Sequence, residues 1–216
     1  MILLCTPTAG QCSTEYVGGL ADLLTSAPRR GIDITPLVST NGPALDIARN
    51  TDAAIFMASS ATHLLFIDSD IAFTAEDVFR LIEADRPIVA APYQMKLPGS
   101  VFAVEELPGA ETDREGFMLI AGIGTGFMLI ARSAFKAVAA QCELDSTPPR
   151  DFPLALRPAY AGYFNLAKGP TGEMLTEDYS FCQRARQAGV GVWADTRAKI
   201  AHIGPRAYSD RWVPGA

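Results

Sequence analysis

Hydrophobic and polar positions along the chain change period repeatedly, from short unbroken apolar runs to stretches in which apolar residues recur every three or four positions. Residues 1 to 6 form the first run and predict a buried strand. Ser13 and Thr14 stand where an N-cap belongs, ahead of Val17, Leu20, Leu23 and Leu24 on one helical face, and Pro28 closes that helix. Residues 32 to 38 predict a second strand. After the turn Asn41-Gly42-Pro43, a second helix over residues 44 to 59 carries Leu45, Ile47, Ala48, Ala54, Ile55 and Met57. Leu64-Leu65-Phe66-Ile67 is wholly apolar, as a central strand requires. Thr74-Ala75-Glu76-Asp77 caps a third helix to Ala84, and a strand over residues 88 to 91 follows Pro87. Strand and helix in alternation predict an α/β fold with a mostly parallel sheet flanked by helices.

The second half is less regular. Phe-Met-Leu-Ile-Ala occurs at 117 to 121 and again at 127 to 131, around Gly122-Ile123-Gly124-Thr125-Gly126. This predicts two strands joined across a glycine-rich bend, with Ser133 capping a helix to Gln141. Residues 145 to 176 hold five prolines together with Phe152, Tyr160, Tyr163 and Phe164, and read as an ordered functional loop. A helix resumes from Thr176 to Ala188, and a strand follows around Val190 to Trp193.

Composition narrows the function classes. At 216 residues with 49% hydrophobic content the chain can bury one substantial core, so a single domain over residues 1 to 204 with a tail over 205 to 216 is expected. A net charge of -6 and no basic cluster argue against binding a nucleic-acid backbone. No apolar stretch approaches the ~18 residues of a membrane span. Cys5, Cys12, Cys142 and Cys182 form no CxxC pair, which argues against a zinc site and for a reducing, cytoplasmic setting. The apolar content also allows a homo-oligomer.

The chemistry concentrates at three places. Asp68-Ser69-Asp70 follows the apolar strand directly, and on extended backbone its two carboxylates would point the same way and attract a hard divalent cation. The bland alternative is a pair of turn and cap residues. Context favours the metal, because open α/β sheets bind ligands at the carboxyl ends of their strands. Glu177-Asp178 opens an amphipathic helix, where carboxylates serve capping as readily as catalysis. His202, one of two histidines, follows a strand-like run and would complete a carboxylate-carboxylate-imidazole set on manganese.

In this order, Thr6-Pro7-Thr8, Arg49, Phe66-Ile67-Asp68-Ser69-Asp70, Gly124-Thr125-Gly126-Phe127, Glu177-Asp178 and His202 resemble the GT-A glycosyltransferase superfamily, nearly from end to end. The resemblance implies a Rossmann-like, GT-A type mixed sheet and a metal-dependent glycosyltransferase of family 2-like character. Its donor would be a UDP- or GDP-sugar and its acceptor a hydroxyl on a glycan, protein or small molecule. Thr6, Pro7 and Thr8 would line the base and ribose pocket, with Arg49 near base or phosphate and Asp68 and Ser69 near ribose or metal. Mn2+ or Mg2+ would sit on Asp70 and His202, with Asp68 close by. Glu177 or Asp178 would face the acceptor hydroxyl, Gly124 to Gly126 would let backbone approach the donor sugar, and Lys96 would reach the phosphates. The loop over 145 to 176 would lie on the acceptor side, its aromatics either stacking on a sugar or pinning the loop. The chain departs from the superfamily in having no evident acceptor-specific domain, which leaves the acceptor open.

Three rivals remain. A haloacid-dehalogenase-type phosphatase also has Asp-x-Asp after a strand, but its pair belongs on the first strand and wants Thr or Val where Ala72 stands. A sugar nucleotidyltransferase wants a basic glycine-rich loop after the first strand, which Thr8-Ala9-Gly10-Gln11-Cys12-Ser13 lacks. A nucleotide-sugar or glycan binding module without turnover is the third.

Overall fold

The computed structural model describes residues 1–40, 44–99 and 101–215, so the expected turn at Asn41-Gly42-Pro43 lies outside the described residues. The first half alternates as the hydrophobic pattern requires: β1 (Ile2–Thr8), α1 (Thr14–Ser26), β2 (Ile34–Thr40), α2 (Leu45–Ala58), β3 (His63–Ile67), a short β4 (Ile71–Ala72), α3 (Ala75–Glu83) and β5 (Ile88–Ala90). Ser13 caps α1, its hydroxyl accepting from the Tyr16 amide at 3.0 Å. Thr74 and Asp77 form a reciprocal capping box on α3. Pro28 does not simply stop α1, because the chain continues as a 3₁₀ turn over Ala27–Arg30 that Gly31 closes at φ 69°.

Then come β6 (Val104–Glu106), β7 (Phe117–Ile123), β8 (Phe127–Ala131), α4 (Arg132–Gln141), α5 (Glu177–Gln187), β9 (Val192–Asp195), β10 (Ala201–Ile203) and β11 (Ala207–Tyr208). The main sheet has the order β2-β1-β3-β8-β5-β9-β7-β6. Its pairings are parallel for β1 with β2, β1 with β3 and β5 with β9, and antiparallel where β8 and β7 meet their neighbours. Only β7 and β8, the two copies of Phe-Met-Leu-Ile-Ala, run against the rest. They do not pair with each other, since β5 and β9 lie between them. The repeat therefore reflects one requirement met twice, an apolar strand buried on both faces.

Alternation splits the strands between two cores. Leu3, Cys5, Leu64, Phe66, Met128 and Ile130 face the layer of α4 and α5, while Ile2, Leu4, Leu65, Ile67, Phe127 and Leu129 face the layer of α1 and α3. Ser133 does not cap α4. That helix starts after Ala131 with no side-chain cap, and Arg132 instead donates to the carbonyls of Phe56, Met57, Ser59 and Ala61, closing the end of α2.

The proline-rich segment is held by burial. Phe152, Tyr160, Tyr163 and Phe164 are all buried, Phe164 stacking on Phe181 with ring centroids 4.6 Å apart. Asn50 on α2 accepts from the Phe164 amide at 2.9 Å and donates to the Asn165 side chain at 2.8 Å. The aromatics thus pin the segment. Residues beyond 204 return to the body: Trp212 is buried in the core, and the Gly215 amide donates to Glu106. Among the described residues no helix is long and apolar enough to cross a membrane.

Candidate active site at the end of the third strand

Because β1, β2 and β3 are parallel, their carboxyl ends share one edge, with Thr8 beside Thr40 and Cys5 beside Phe66. At this edge the Ser13 amide donates to the Ser69 carbonyl at 2.8 Å, tying the loop after β1 to Asp68-Ser69-Asp70. The strand ends at Ile67 and the chain turns through Ser69 and Asp70. The two carboxylates are therefore not side by side on extended backbone, as the spacing suggested, and each has its own set of partners.

Asp68 faces inward. Arg49, on α2 and 1% exposed, donates from Nη2 to Asp68 Oδ1 at 2.6 Å, with its guanidinium over the Phe66 ring at 4.6 Å. Burial alone would lower the Arg49 pKa, but the Asp68 charge and hydrogen bond raise it, so this cation stays charged. Its Nε and Nη1 have no hydrogen-bond partner among the described residues, nor has Oδ2 of Asp52, one turn along the same helix. Asp52 Oδ1 accepts from Ser39 at 3.2 Å, and burial pushes this carboxyl up to about 6 against the pull of Arg49.

Asp70 faces outward. Its Oδ2 accepts from Lys96 Nζ at 2.6 Å and its Oδ1 lies 3.4 Å from His202 Nε2. Burial would raise this carboxyl, but the hydrogen bonds and charges of His202 and Lys96 outweigh it and hold Asp70 at about 2. The approach of His202, 132 positions away, comes from strand pairing: β4, directly after Asp70, pairs antiparallel with β10 so that His202 lies opposite Ile71. The Ile203 amide also donates to the Asp70 carbonyl at 2.7 Å. His202 Nδ1 stands 3.2 Å from the Gln94 carbonyl, which can only accept. Nδ1 therefore carries a hydrogen, so Nε2 meets Asp70 either as the second N–H of an imidazolium, the form whose charge lowers Asp70, or as the lone pair of a neutral ring. An oxygen acceptor facing a nitrogen lone pair needs a cation between them, either a proton or a metal.

Tyr93 joins the two sides. Its ring meets His202 edge-on at 5.3 Å, and its hydroxyl accepts from the Gly126 amide at 3.3 Å while the Gly126 carbonyl accepts from the Asp68 amide at 2.9 Å. Burial, then the charges of Asp68 and Asp178, raise its phenol far above the ordinary range. Added Cβ atoms at Gly124 and Gly126 would lie 2.3 Å from Tyr93 Oη and 2.9 Å from Asp68 Oδ2. The glycines are thus required by Tyr93 and Asp68 themselves, and Thr125 between them is buried.

Glu177 and Asp178 open α5 on the Arg49 side. Asp178 Oδ1 accepts from the Thr176 hydroxyl and, at 2.8 Å, from the Tyr179 amide in the first turn of α5, while burial raises its carboxyl against these bonds. Burial and then the Asp178 charge raise Glu177 to about 6, against the lowering pull of Arg49. At the end of β1, Thr6 is buried with its hydroxyl 2.5 Å from Tyr16 Oη, and Thr8 Oγ1 donates to the Gln11 carbonyl at 2.6 Å. Pro7 lies between them. Asp52, Tyr93 and Gln94 entered no motif; the last two were detectable only as polar residues just after a buried strand at the ligand edge.

Among the described residues no three or more His, Cys, Asp and Glu gather as a ready ligand set. A cation that also binds a diphosphate needs only one or two protein ligands, and Asp70 with His202 supplies a carboxylate oxygen and an imidazole nitrogen aimed at one point. The residues fit a Mn2+ or Mg2+ ion.

No family model matches the chain, and no curated protein matches it by sequence. Among solved structures it resembles the A197 protein from STIV, with TM-score 0.55 and 18% identity over 98% of this chain and 91% of that one. Also similar are a mutant Drosophila β1,4-galactosyltransferase 7 in complex with manganese, UDP-Gal and xylobiose (TM-score 0.49, 14% identity, 99% and 76% covered) and a glycosyltransferase involved in glycosylation of the major capsid of PBCV-1 (TM-score 0.34, 15% identity, 62% of each covered). At these identities the likeness concerns fold alone. The strand order and the flanking helix layers define a mixed α/β fold, a mostly parallel sheet between helices, like that of the A197 protein.

Proposed function

We propose that this protein transfers a glycosyl group from a nucleoside-diphosphate sugar to a hydroxyl acceptor with a divalent cation, Mn2+ or Mg2+, held by Asp70 and His202. The observation that carries this reading is the opposition of Asp70 Oδ1 and His202 Nε2 at 3.4 Å, at the carboxyl edge of the parallel strands, with His202 Nδ1 already engaged by Gln94. When bound, the cation would neutralise the diphosphate and make it a viable leaving group.

The protein's own groups divide the remaining work. Pro7 and Thr8 flank base and ribose at the end of β1, with Thr6 behind them. Arg49 holds Asp68 in place beside the ribose, and Ser69 is fixed by the loop after β1. Gly124 to Gly126, closed over by Tyr93, form the floor under the donor sugar. Glu177 is the better candidate than Asp178 to take the acceptor proton: burial pushes its carboxyl up to about 6, whereas Asp178 Oδ1 is engaged by the Thr176 hydroxyl and the Tyr179 amide.

A donor panel tests the reading. UDP- and GDP-sugars are offered to the full chain with Mn2+ or with chelator, and released nucleotide is followed. Metal-dependent release from one donor, lost in Asp70→Asn, is expected. Binding of a donor without release would leave a binding module, and no binding at all would remove the nucleotide-sugar assignment.

A further inference from the structure

Lys96, expected to reach the donor phosphates, instead pairs with Asp70. Its ammonium lies on the carboxylate oxygen that His202 does not face, at 2.6 Å, so both Asp70 oxygens are engaged by side chains of this chain. The approach is built into the fold. Lys96 follows β5 by six residues, and Gln94 just before it binds the His202 ring through its carbonyl and the Asp210 amide through its side chain. Gly204, two residues after His202, leaves room for the Lys96 stem: an added Cβ would lie 3.1 Å from Lys96 Cδ. Lys96 and His202 therefore reach Asp70 as one unit, from opposite oxygens.

We infer that Lys96 competes with the divalent cation for Asp70, holding the carboxylate when the metal is away and giving it up when the metal arrives. The inference rests on the Asp70 and His202 metal site proposed above. A carboxylate saturated by an ammonium is a poorer ligand for a second cation, and two cations on one carboxylate repel each other. Both Lys96 and Asp70 are about one-third exposed, at 32% and 37% of their side chains, so the ammonium can leave for water at little cost. Metal loading thereby frees one positive charge at the edge where a diphosphate would bind.

Mn2+ binding to the full chain, measured by calorimetry without any nucleotide, tests this apart from turnover. Wild type is compared with Lys96→Met, which keeps the stem and removes the charge, with Asp70→Asn, and with Lys136→Ala as an exposed charge-loss control on α4. The expected result is Mn2+ binding about fivefold or more tighter in Lys96→Met, unchanged in Lys136→Ala and lost in Asp70→Asn. Equal or weaker binding in Lys96→Met, with Asp70→Asn still losing the metal, overturns the competition and leaves the metal site standing. Binding that survives Asp70→Asn, or no binding in any variant, overturns both.

Discussion

Asp68 and Asp70 each meet a cation at 2.6 Å, yet the two pairs are different kinds of structure. Arg49, on α2, is buried against the Phe66 ring, and only the Asp68 side of the pair, 24% exposed, meets solvent. Lys96 reaches Asp70 from a half-exposed segment and shares it with a histidine whose remaining nitrogen is tied to backbone. Identical distances therefore say little about strength or purpose. Burial decides whether removing the partner leaves a stranded charge or merely a hydrated one.

The sharpest way to break this comparison is at Asp70. Asp70→Asn is expected to slow metal-dependent nucleotide release by about a thousandfold, roughly 4 kcal/mol on the barrier, while its urea midpoint changes by less than about 1 kcal/mol of stability. A large loss of stability there would make Asp70 structural, like Asp68.

Arg49→Met should do the reverse first. Loss of about 3 kcal/mol is expected in urea unfolding, because Asp68 is left partly buried without its partner, whereas Lys96→Met should cost less than about 1 kcal/mol in the same measurement. Equal costs would erase the distinction drawn between the two pairs.

Glu177 sharpens the Arg49 side. Its carboxyl must be deprotonated to accept a proton, so turnover should rise with pH through about 6. Glu177→Gln should lower turnover by about a hundredfold and flatten that limb. Asp178→Ala should instead act mainly on stability, by about 1 kcal/mol, through the lost bonds from the Thr176 hydroxyl and the Tyr179 amide. A pH limb that survives Glu177→Gln would move the base elsewhere.

A pH effect on stability alone concerns Asp52, whose carboxyl is raised from 3.8 to about 6 by burial. The folded state then holds a proton that the unfolded chain releases near pH 4. Stability from this group is fully present below about pH 4 and is lost as pH rises through about 6. A shift of about two units corresponds to roughly 3 kcal/mol over the whole pH range. The difference between urea midpoints at pH 4.5 and pH 7 should shrink in Asp52→Asn, and an unchanged difference would show that Asp52 stays charged.

The sequence by itself determined the alternating first half, because unbroken apolar runs and 3.6-residue periods are local properties of the chain. It also pointed to Asp68, Asp70, Glu177 and His202, since acidic residues after a buried strand and at a helix start are visible one segment at a time. It could not show that the two Phe-Met-Leu-Ile-Ala strands lie apart in the sheet, for strand order depends on pairings between distant residues. Nor could it divide the labour of the two aspartates. That depends on α2 bringing Arg49 under β3 and on β10 pairing with β4, contacts spanning 19 and 132 positions whose energy exists only once the core has closed. The tertiary structure alone tied one carboxylate to a buried arginine and the other to a half-exposed lysine and a histidine, because burial and strand register are set by the whole fold.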